Sequence, residues 1–349
     1  MTKDFNISTT PDISQRRTAV LDGAFELECG ESLNDVVVTY HTMGSFTGEE
    51  RVIWVCHALT ADSDVSKWWP GLFGPGDDFD RSDCFVICAN VLGSCYGTTG
   101  PSLPNADGKR MLHHFPLITP RDMARAHQHL ARKLGIAHID LLIGGSLGGM
   151  QAMEWAIEEP HRIRQLVLIA TNAKHSAFGI AFNESQRLAL EADPSFVEGL
   201  WPGGEAGLRA ARSMALLSYR GYEAYNQTQT DHQDDLLRDF RAASYQRYQG
   251  DKLVKRFDAY AYYTLTRAMD SHNIARGRGS QFEALQQIKA DTLVVAISSD
   301  LLFPPEEQVT LANGIPNAQL RYLYSDFAHD GFLIETRQLS QLLQSFLVF

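Results

Sequence analysis

The sequence predicts an open, mostly parallel α/β sheet flanked by helices, interrupted late in the chain by an all-helical insertion. Three observations predict it. Apolar or β-branched runs alternate with helical patterns through the first half. Those runs are nearly continuous rather than alternating in polarity, as expected of strands covered on both faces. The alternation then stops from about Thr171 to Ala290, where helical composition prevails, and resumes at Asp291.

Strands are expected, in order, at Val36–Tyr40, Val52–Cys56, Phe85–Ala89, Asp140–Ile143, Leu166–Ala170, Thr292–Ile297 and Leu320–Tyr324. Helices are expected at Arg121–Leu134, which Thr119-Pro120 starts well, and at Leu147–Ile157, Pro305–Ala312 and Phe332–Phe346. Within the interruption, helical patterns cover Phe182–Ala192, Ala206–Leu217 and Val254–Met269, with a polar section at Gln227–Arg247. The expected division is a core of residues 1–170 and 291–349 with a helical cap at 171–290. Such a cap can keep water from a site and can supply a dimer surface. Two long Gly-rich loops, Thr60–Asp83 and Val91–Arg110, follow strands. They therefore belong at the carboxyl edge of the sheet, where open α/β folds bind ligands.

Composition narrows the function. With 349 residues, 44% of them hydrophobic, the chain can bury one large core with an insertion, or two domains. No apolar run approaches the ~18 residues of a membrane span. The opening MTKDFNISTTPDISQRR lacks an apolar signal core, which argues against secretion. Five cysteines, an odd number with no C-x-x-C pair, argue against a disulfide framework and for a reducing cytoplasm. Cys84 and Cys88 are expected to be small buried hydrophobes on one strand rather than metal ligands, and no metal site is expected. A formal charge of −11 argues against a nucleic-acid surface. It leaves room for a local basic pocket.

The chemistry centres on LLIGGSLGGMQAMEW, residues 141–155. Gly144-Gly145-Ser146-Leu147-Gly148 matches G-x-S-x-G, a pattern that chance supplies about 0.1 times in a chain this long. Its position between a strand and a helix is what a nucleophile elbow requires. The glycines leave space around a serine held in a strained turn, and the N–H of Leu147 heads the helix toward developing negative charge. A serine nucleophile needs a base, and this architecture orders the partners Ser, acid, His. Asp300 ends the strand Thr292–Ile297, and His329 lies in the loop after Leu320–Tyr324, both where that order demands. Asp326 and Asp330 are rival acids, but they share the loop of His329. The second oxyanion donor is expected in Cys56-His57-Ala58-Leu59-Thr60, at the N–H of Leu59. His57 lies on the wrong loop for a base and is expected to shape the turn.

These residues resemble one family, the homoserine O-acetyltransferases of the α/β-hydrolase superfamily. The matching stretches are CHALT (56–60), NVLGSCYGTTGPS (90–102), PLITPRDMARA (116–126), GGSLGGMQAMEWA (144–156), TNAKHSAFGIAFNESQR (171–187), SSDLLFPPEEQ (298–308) and HDGFLIE (329–335). They span nearly the whole chain in order. The match is looser at QTQTDHQDD (227–235) and AYAYYTLTRAMD (259–270). The resemblance implies an α/β-hydrolase fold, a mostly parallel sheet with an inserted helical cap. It implies ping-pong transfer of an acetyl group from acetyl-CoA through Ser146 to the hydroxyl of L-homoserine, with His329 as base and Asp300 orienting it. It further implies that Arg212 and Asp330 hold the α-carboxylate and α-ammonium of the amino acid. Acetyl-CoA is then a co-substrate and no cofactor is permanently bound. A cytoplasmic homodimer through the cap, serving methionine synthesis, completes the expectation. Three alternatives share the triad: homoserine O-succinyltransferase, serine O-acetyltransferase, and an esterase or thioesterase. One methylene of acceptor is worth only ~1–3 kcal/mol in a pocket, so few substitutions separate the acceptors.

Overall fold

All seven runs expected as strands are strands, each within a few residues of the expected bounds. The computed structural model describes residues 14–347 apart from Ala106. Residues 1–13, most of the opening stretch expected to lack a signal core, lie outside the described residues. The strands, in chain order, are β1 (Ser14–Val20), β2 (Phe25–Glu26), β3 (Ser32–Leu33), β4 (Val37–Met43), β5 (Arg51–Cys56), β6 (Cys84–Ala89), β7 (Ile139–Gly145), β8 (Ile163–Ile169), β9 (Asp291–Ile297) and β10 (Ala318–Leu323). Eight form one sheet in the order β1-β4-β6-β5-β7-β8-β9-β10, and β2 and β3 form a small hairpin apart from it. From β6 to β10 every neighbouring pair is parallel, while β4 runs antiparallel to both β1 and β6.

β1 is the sheet strand that sequence patterning missed. It is an edge strand, SQRRTAV, with most of its side chains exposed, so it carries no apolar run. The central strands β5, β6 and β7 are buried nearly throughout. Cys84 and Cys88 both lie in the apolar cluster on one face of the sheet.

The helices cover the two faces. α1 (Val65–Trp68) is a single turn within the Thr60–Asp83 loop. α2 (Pro120–Lys133) starts where the Thr-Pro pair predicts: Thr119 caps it, and Asp122 returns the bond in a capping box. α3 (Leu147–Glu158) follows Ser146 directly. Between β8 and β9 come α4 (Ala177–Glu191), α5 (Pro194–Val197), α6 (Glu205–Gln229), α7 (Arg241–Val254), α8 (Ala259–Asp270) and α9 (Gln281–Leu285). No strand of the sheet falls there among the described residues. The helix expected at Val254–Met269 starts only at Ala259: α7 ends at Val254, and Asp258, in extended geometry, caps α8 by accepting the N–H of Ala261. After β9 come α10 (Pro305–Gly314), α11 (Gly331–Ile334) and α12 (Thr336–Phe346). The expected helix Phe332–Phe346 is therefore broken at Glu335, whose carboxylate accepts a hydrogen bond from Ser325 Oγ at 3.0 Å.

A largely buried ion-pair cluster ties the end of the helical insertion to the core. Arg121 on α2 contacts Glu28 at 2.6 Å and Glu154 on α3 at 3.0 Å. Arg276 and Arg278, just before α9, reach the same two carboxylates at 2.8 and 2.6 Å. α3 begins at the elbow, so the insertion is fastened to the helix that carries the candidate nucleophile.

Candidate active site

β7 delivers its last two residues, Gly144 and Gly145, into a turn where Ser146 adopts φ 57° and ψ −125°. A non-glycine residue at positive φ is strained by about 1 kcal/mol or more, so the surroundings must hold it. They do so through the backbone. The Ser146 N–H donates to the Ile169 carbonyl at 2.9 Å, and its carbonyl accepts from Thr171 Oγ1 at 3.0 Å. A side chain on Gly144 would overlap the backbone of Gly148 and Gly149, and one on Gly145 would meet the Phe332 ring at 2.9 Å. A Cβ at Gly148 would overlap the carbonyl of Cys56, with the Cys56 carbonyl carbon at 2.8 Å. The glycines are thus required by close approach of the elbow, the end of β5 and α11.

His329 lies in a 3-10 turn, Ala328–Asp330, after β10. Its Nδ1 is 2.7 Å from Asp300 Oδ2, and both residues are buried. Asp300 is oriented in turn, because its other oxygen accepts the N–H groups of Leu302 at 2.8 Å and Phe303 at 3.0 Å. The imidazole stacks on Phe303 with ring centres 5.0 Å apart. Asp300 is therefore the acid that meets His329, as its strand-end position predicts. Of the rivals, Asp326 is exposed and accepts from Gln227 at 2.8 Å. Asp330 faces Arg220 instead.

In the loop after β5, His57 shapes the turn, as expected. His57 is fully buried; its Nε2 accepts the N–H of Val91 at 3.0 Å and its Nδ1 donates to the Ala58 carbonyl at 2.9 Å. Burial pulls its pKa down, which keeps it a neutral turn-former. Leu59 borders the cavity described below. Leu147 is the first residue of α3, so its N–H is one the helix ladder cannot use. Gln151 joins the two loops, donating to the carbonyls of His57 at 3.2 Å and Leu147 at 3.0 Å. Its role escaped the sequence reading, which held Gln151 only as part of a matching stretch.

A cavity of about 470 Å³ opens above the elbow. Ser146 and His329 border it, each only 4% exposed. Arg212, Tyr219 and Arg220 of α6 line the same cavity, with Asp330. Arg212 lies over the Tyr219 ring, 5.4 Å from its centre, and forms no ion pair among the described residues. Arg220 is a second residue that sequence reasoning missed. Its Nε is 2.8 Å from Asp330 Oδ2. A break in α6 at Gly221, with φ 68° and ψ 174°, brings the helix against the His329 turn, where a Cβ on Gly221 would meet that of Ala328 at 3.0 Å. The glycine after Arg220 was the available signal. Burial pushes the Asp330 carboxyl up, and Arg220, Arg212 and His329 only partly offset it.

These charges set a pH dependence. Burial alone would lower the His329 pKa, but the charge and hydrogen bond of Asp300, helped by Asp330, outweigh it and hold it above its ordinary value. A general base works as neutral imidazole, so activity falls as pH drops through that raised pKa. The kcat/KM profile is expected to reach half its plateau above about pH 6.5, the ordinary histidine value. A half-point at or below that value would contradict the geometry. Glu307 titrates nearby: burial, opposed by a hydrogen bond from Asn172 and aided by the charge of Asp300, pushes it up to about 7.

Comparison with known proteins bears on this arrangement. The chain matches the family model of the alpha/beta hydrolase fold over residues 51–336. It is 45% identical to the homoserine O-acetyltransferase of Trichormus variabilis, covering 92% of this chain and 91% of that one. The crystal structure of homoserine O-acetyltransferase from Bacillus anthracis superposes with a TM-score of 0.87 at 24% identity, covering 97% of this chain and 99% of that one. An acetylester hydrolase from Corynebacterium glutamicum superposes with a TM-score of 0.84 at 23% identity, over 95% of this chain and 96% of that one. At such identities the two structures share the fold, and the fold alone does not separate transfer from hydrolysis.

Proposed function

The chain belongs to the homoserine O-acetyltransferase family, acyltransferases built on the α/β-hydrolase fold, and on that premise we propose a ping-pong reaction through an acetyl-Ser146 intermediate. Ser146 Oγ attacks the thioester carbonyl of acetyl-CoA while His329 Nε2 takes its proton. Asp300, bonded to Nδ1, keeps Nε2 free to do so and stabilises the imidazolium. The N–H groups of Leu59 and Leu147 face the oxyanion. The carbon–sulfur bond breaks, and CoA leaves as a thiol with the proton from His329. The hydroxyl of L-homoserine then gives its proton to His329 and attacks the acetyl-serine, releasing O-acetyl-L-homoserine and restoring Ser146.

The observation that carries this reading over hydrolysis is the pair of opposite charges beside the elbow. A cationic Arg212, with no ion pair among the described residues, and a half-buried Asp330 border the cavity that also contains Ser146. An α-amino acid offers a carboxylate for the guanidinium fork and an ammonium for the acid, whereas water needs neither. The helices between β8 and β9 serve as the cap that excludes water. Exposed apolar side chains on that cap, Phe178, Leu188, Leu217 and Tyr222, are the surface a second copy would cover in a homodimer. The product suits methionine synthesis in the cytoplasm.

The test follows free thiol from acetyl-CoA with and without L-homoserine. Release that depends on homoserine supports transfer, and equal release without acceptor makes the protein a thioesterase. Arg212→Leu is expected to raise the KM for homoserine about 10–100-fold, the scale of a lost charge-assisted contact. Acetylation of Ser146 by acetyl-CoA alone should persist in that variant. An unchanged homoserine KM would remove Arg212 from the acceptor site.

A further inference from the structure

We propose that the outer rim of the cavity, at the carboxyl end of α7, is a subsite for the phosphate groups of the acyl donor, with Lys252 as its principal contact and Arg256 and Lys67 beside it. The proposal rests on the reading that the donor is an acyl-CoA.

The starting observation is a reversal of charge. The chain carries a formal −11, yet five of the cavity-lining side chains are cationic and two are carboxylates. Two of the cations, Arg212 and Arg220, lie with Asp330 at the inner end. The cavity wall also holds Lys67, Lys252 and Arg256 and the second carboxylate, Asp62. Lys252 and Arg256 are exposed, and the Lys67 side chain is 73% exposed, while Ser146 and His329 are buried. The cationic group is therefore a mouth and the nucleophile a floor.

Local structure accounts for part of this, but not for Lys252. A lysine in the last turn of a helix is favoured by the helix dipole, and that would explain its residue type without its place in the cavity wall. Asp251, its neighbour in sequence, is already paired with Arg209 at 2.5 Å. Lys252 forms no ion pair among the described residues. Arg256 donates to the Thr60 carbonyl and to Tyr96 Oη, the latter at 2.7 Å; both acceptors are neutral, so its charge is not matched there. Lys67 is paired with Asp64 at 2.7 Å, but its exposed stem can swing to a second anion.

Size agrees with charge. A cavity of about 470 Å³ lies in the lower half of the roughly 300–1,000 Å³ range of small-ligand pockets, and it must also accept the amino acid. The thioester and its pantetheine arm can enter, and the phosphorylated nucleotide stays at the mouth. Cations at a mouth with low-dielectric walls concentrate an anionic substrate and hold it until the acyl group reaches the floor.

The experiment compares two donors, acetyl-CoA and the phosphate-free thioester S-acetyl-N-acetylcysteamine, in wild type, Lys252→Glu, Lys252→Gln and Lys252→Arg. The ratio of kcat/KM for acetyl-CoA to that for the small thioester is expected to fall about tenfold in Lys252→Glu, less in Lys252→Gln, and to recover in Lys252→Arg. The wild-type KM for acetyl-CoA should rise with ionic strength, and that of Lys252→Glu should rise less. The proposal is overturned if the ratio stays within twofold of wild type in Lys252→Glu while acetyl-CoA remains a good donor. If wild type releases no thiol from acetyl-CoA, the acyl-CoA reading fails first and takes this subsite with it, a result distinct from the preceding one.

Discussion

Ser146→Ala is expected to lower homoserine-dependent thiol release by about 10⁴-fold or more, the scale on which serine triads lose kcat when the nucleophile goes. The fold should survive. The backbone bonds that hold the elbow, from Ser146 N–H to Ile169 and from Thr171 Oγ1 to the Ser146 carbonyl, do not involve the side chain. Alanine also bears the positive φ of 57° much as serine does, so the melting temperature should barely move. Ser146→Gly separates strain from chemistry. Glycine adopts positive φ without the Cβ penalty, so this variant should be equally inactive yet more stable than the alanine variant by about 1 kcal/mol. Thiol release at wild-type rate in either variant, with an intact melting transition, would remove Ser146 as the nucleophile.

Gly148→Ala tests the other half of the elbow and should damage both stability and rate. The added Cβ would overlap the Cys56 carbonyl and lie 2.8 Å from its carbon and 3.3 Å from that of His57. All three are backbone atoms, so no side-chain rotation relieves the clash; α3 or the end of β5 must move. Overpacking of a core ordinarily costs about 1–3 kcal/mol, and a clash between two backbones belongs at or above the top of that range. The same displacement separates Leu147, at the head of α3, from the Cys56–Leu59 loop. These are the two candidate oxyanion donors, and Gln151 ties them together. Losing one such donor typically costs about 10²–10³ in kcat. A lower denaturation midpoint together with a kcat reduced about 100-fold is the expected pair of results. Wild-type values for both would show that the spacing of these loops is not set by Gly148.

Much of this was legible before any coordinates. Parallel strands buried on both faces must be apolar along their length, so β5 to β9 announced themselves as continuous runs. Ser146 and Asp300 were legible because each follows such a run, and His329 because it follows the last strand, β10, at the same edge of the sheet; Asp300 does meet His329 at 2.7 Å. β1 was not legible, since an edge strand with exposed arginines obeys no such constraint. Helix boundaries inside the insertion were also misread where the chain pauses without a strong breaker. α7 stops at Val254 and Asp258 caps α8, and, beyond the insertion, Glu335 bends out of the last expected helix to accept a hydrogen bond from Ser325.

Local pattern by itself determined the layered fold, the elbow and the order of the candidate triad, because strand burial and strand ends leave a mark in neighbouring residues. Only the tertiary structure decided that Arg220 rather than Arg212 pairs with Asp330, that Gln151 joins the two oxyanion loops, and that Lys252 stands at the cavity mouth. Each of these depends on where a helix is rotated, broken or laid across the sheet. The break at Gly221 against Ala328 turns α6 toward the His329 turn, and a contact formed by two segments about 100 residues apart has no periodicity by which a sequence could declare it.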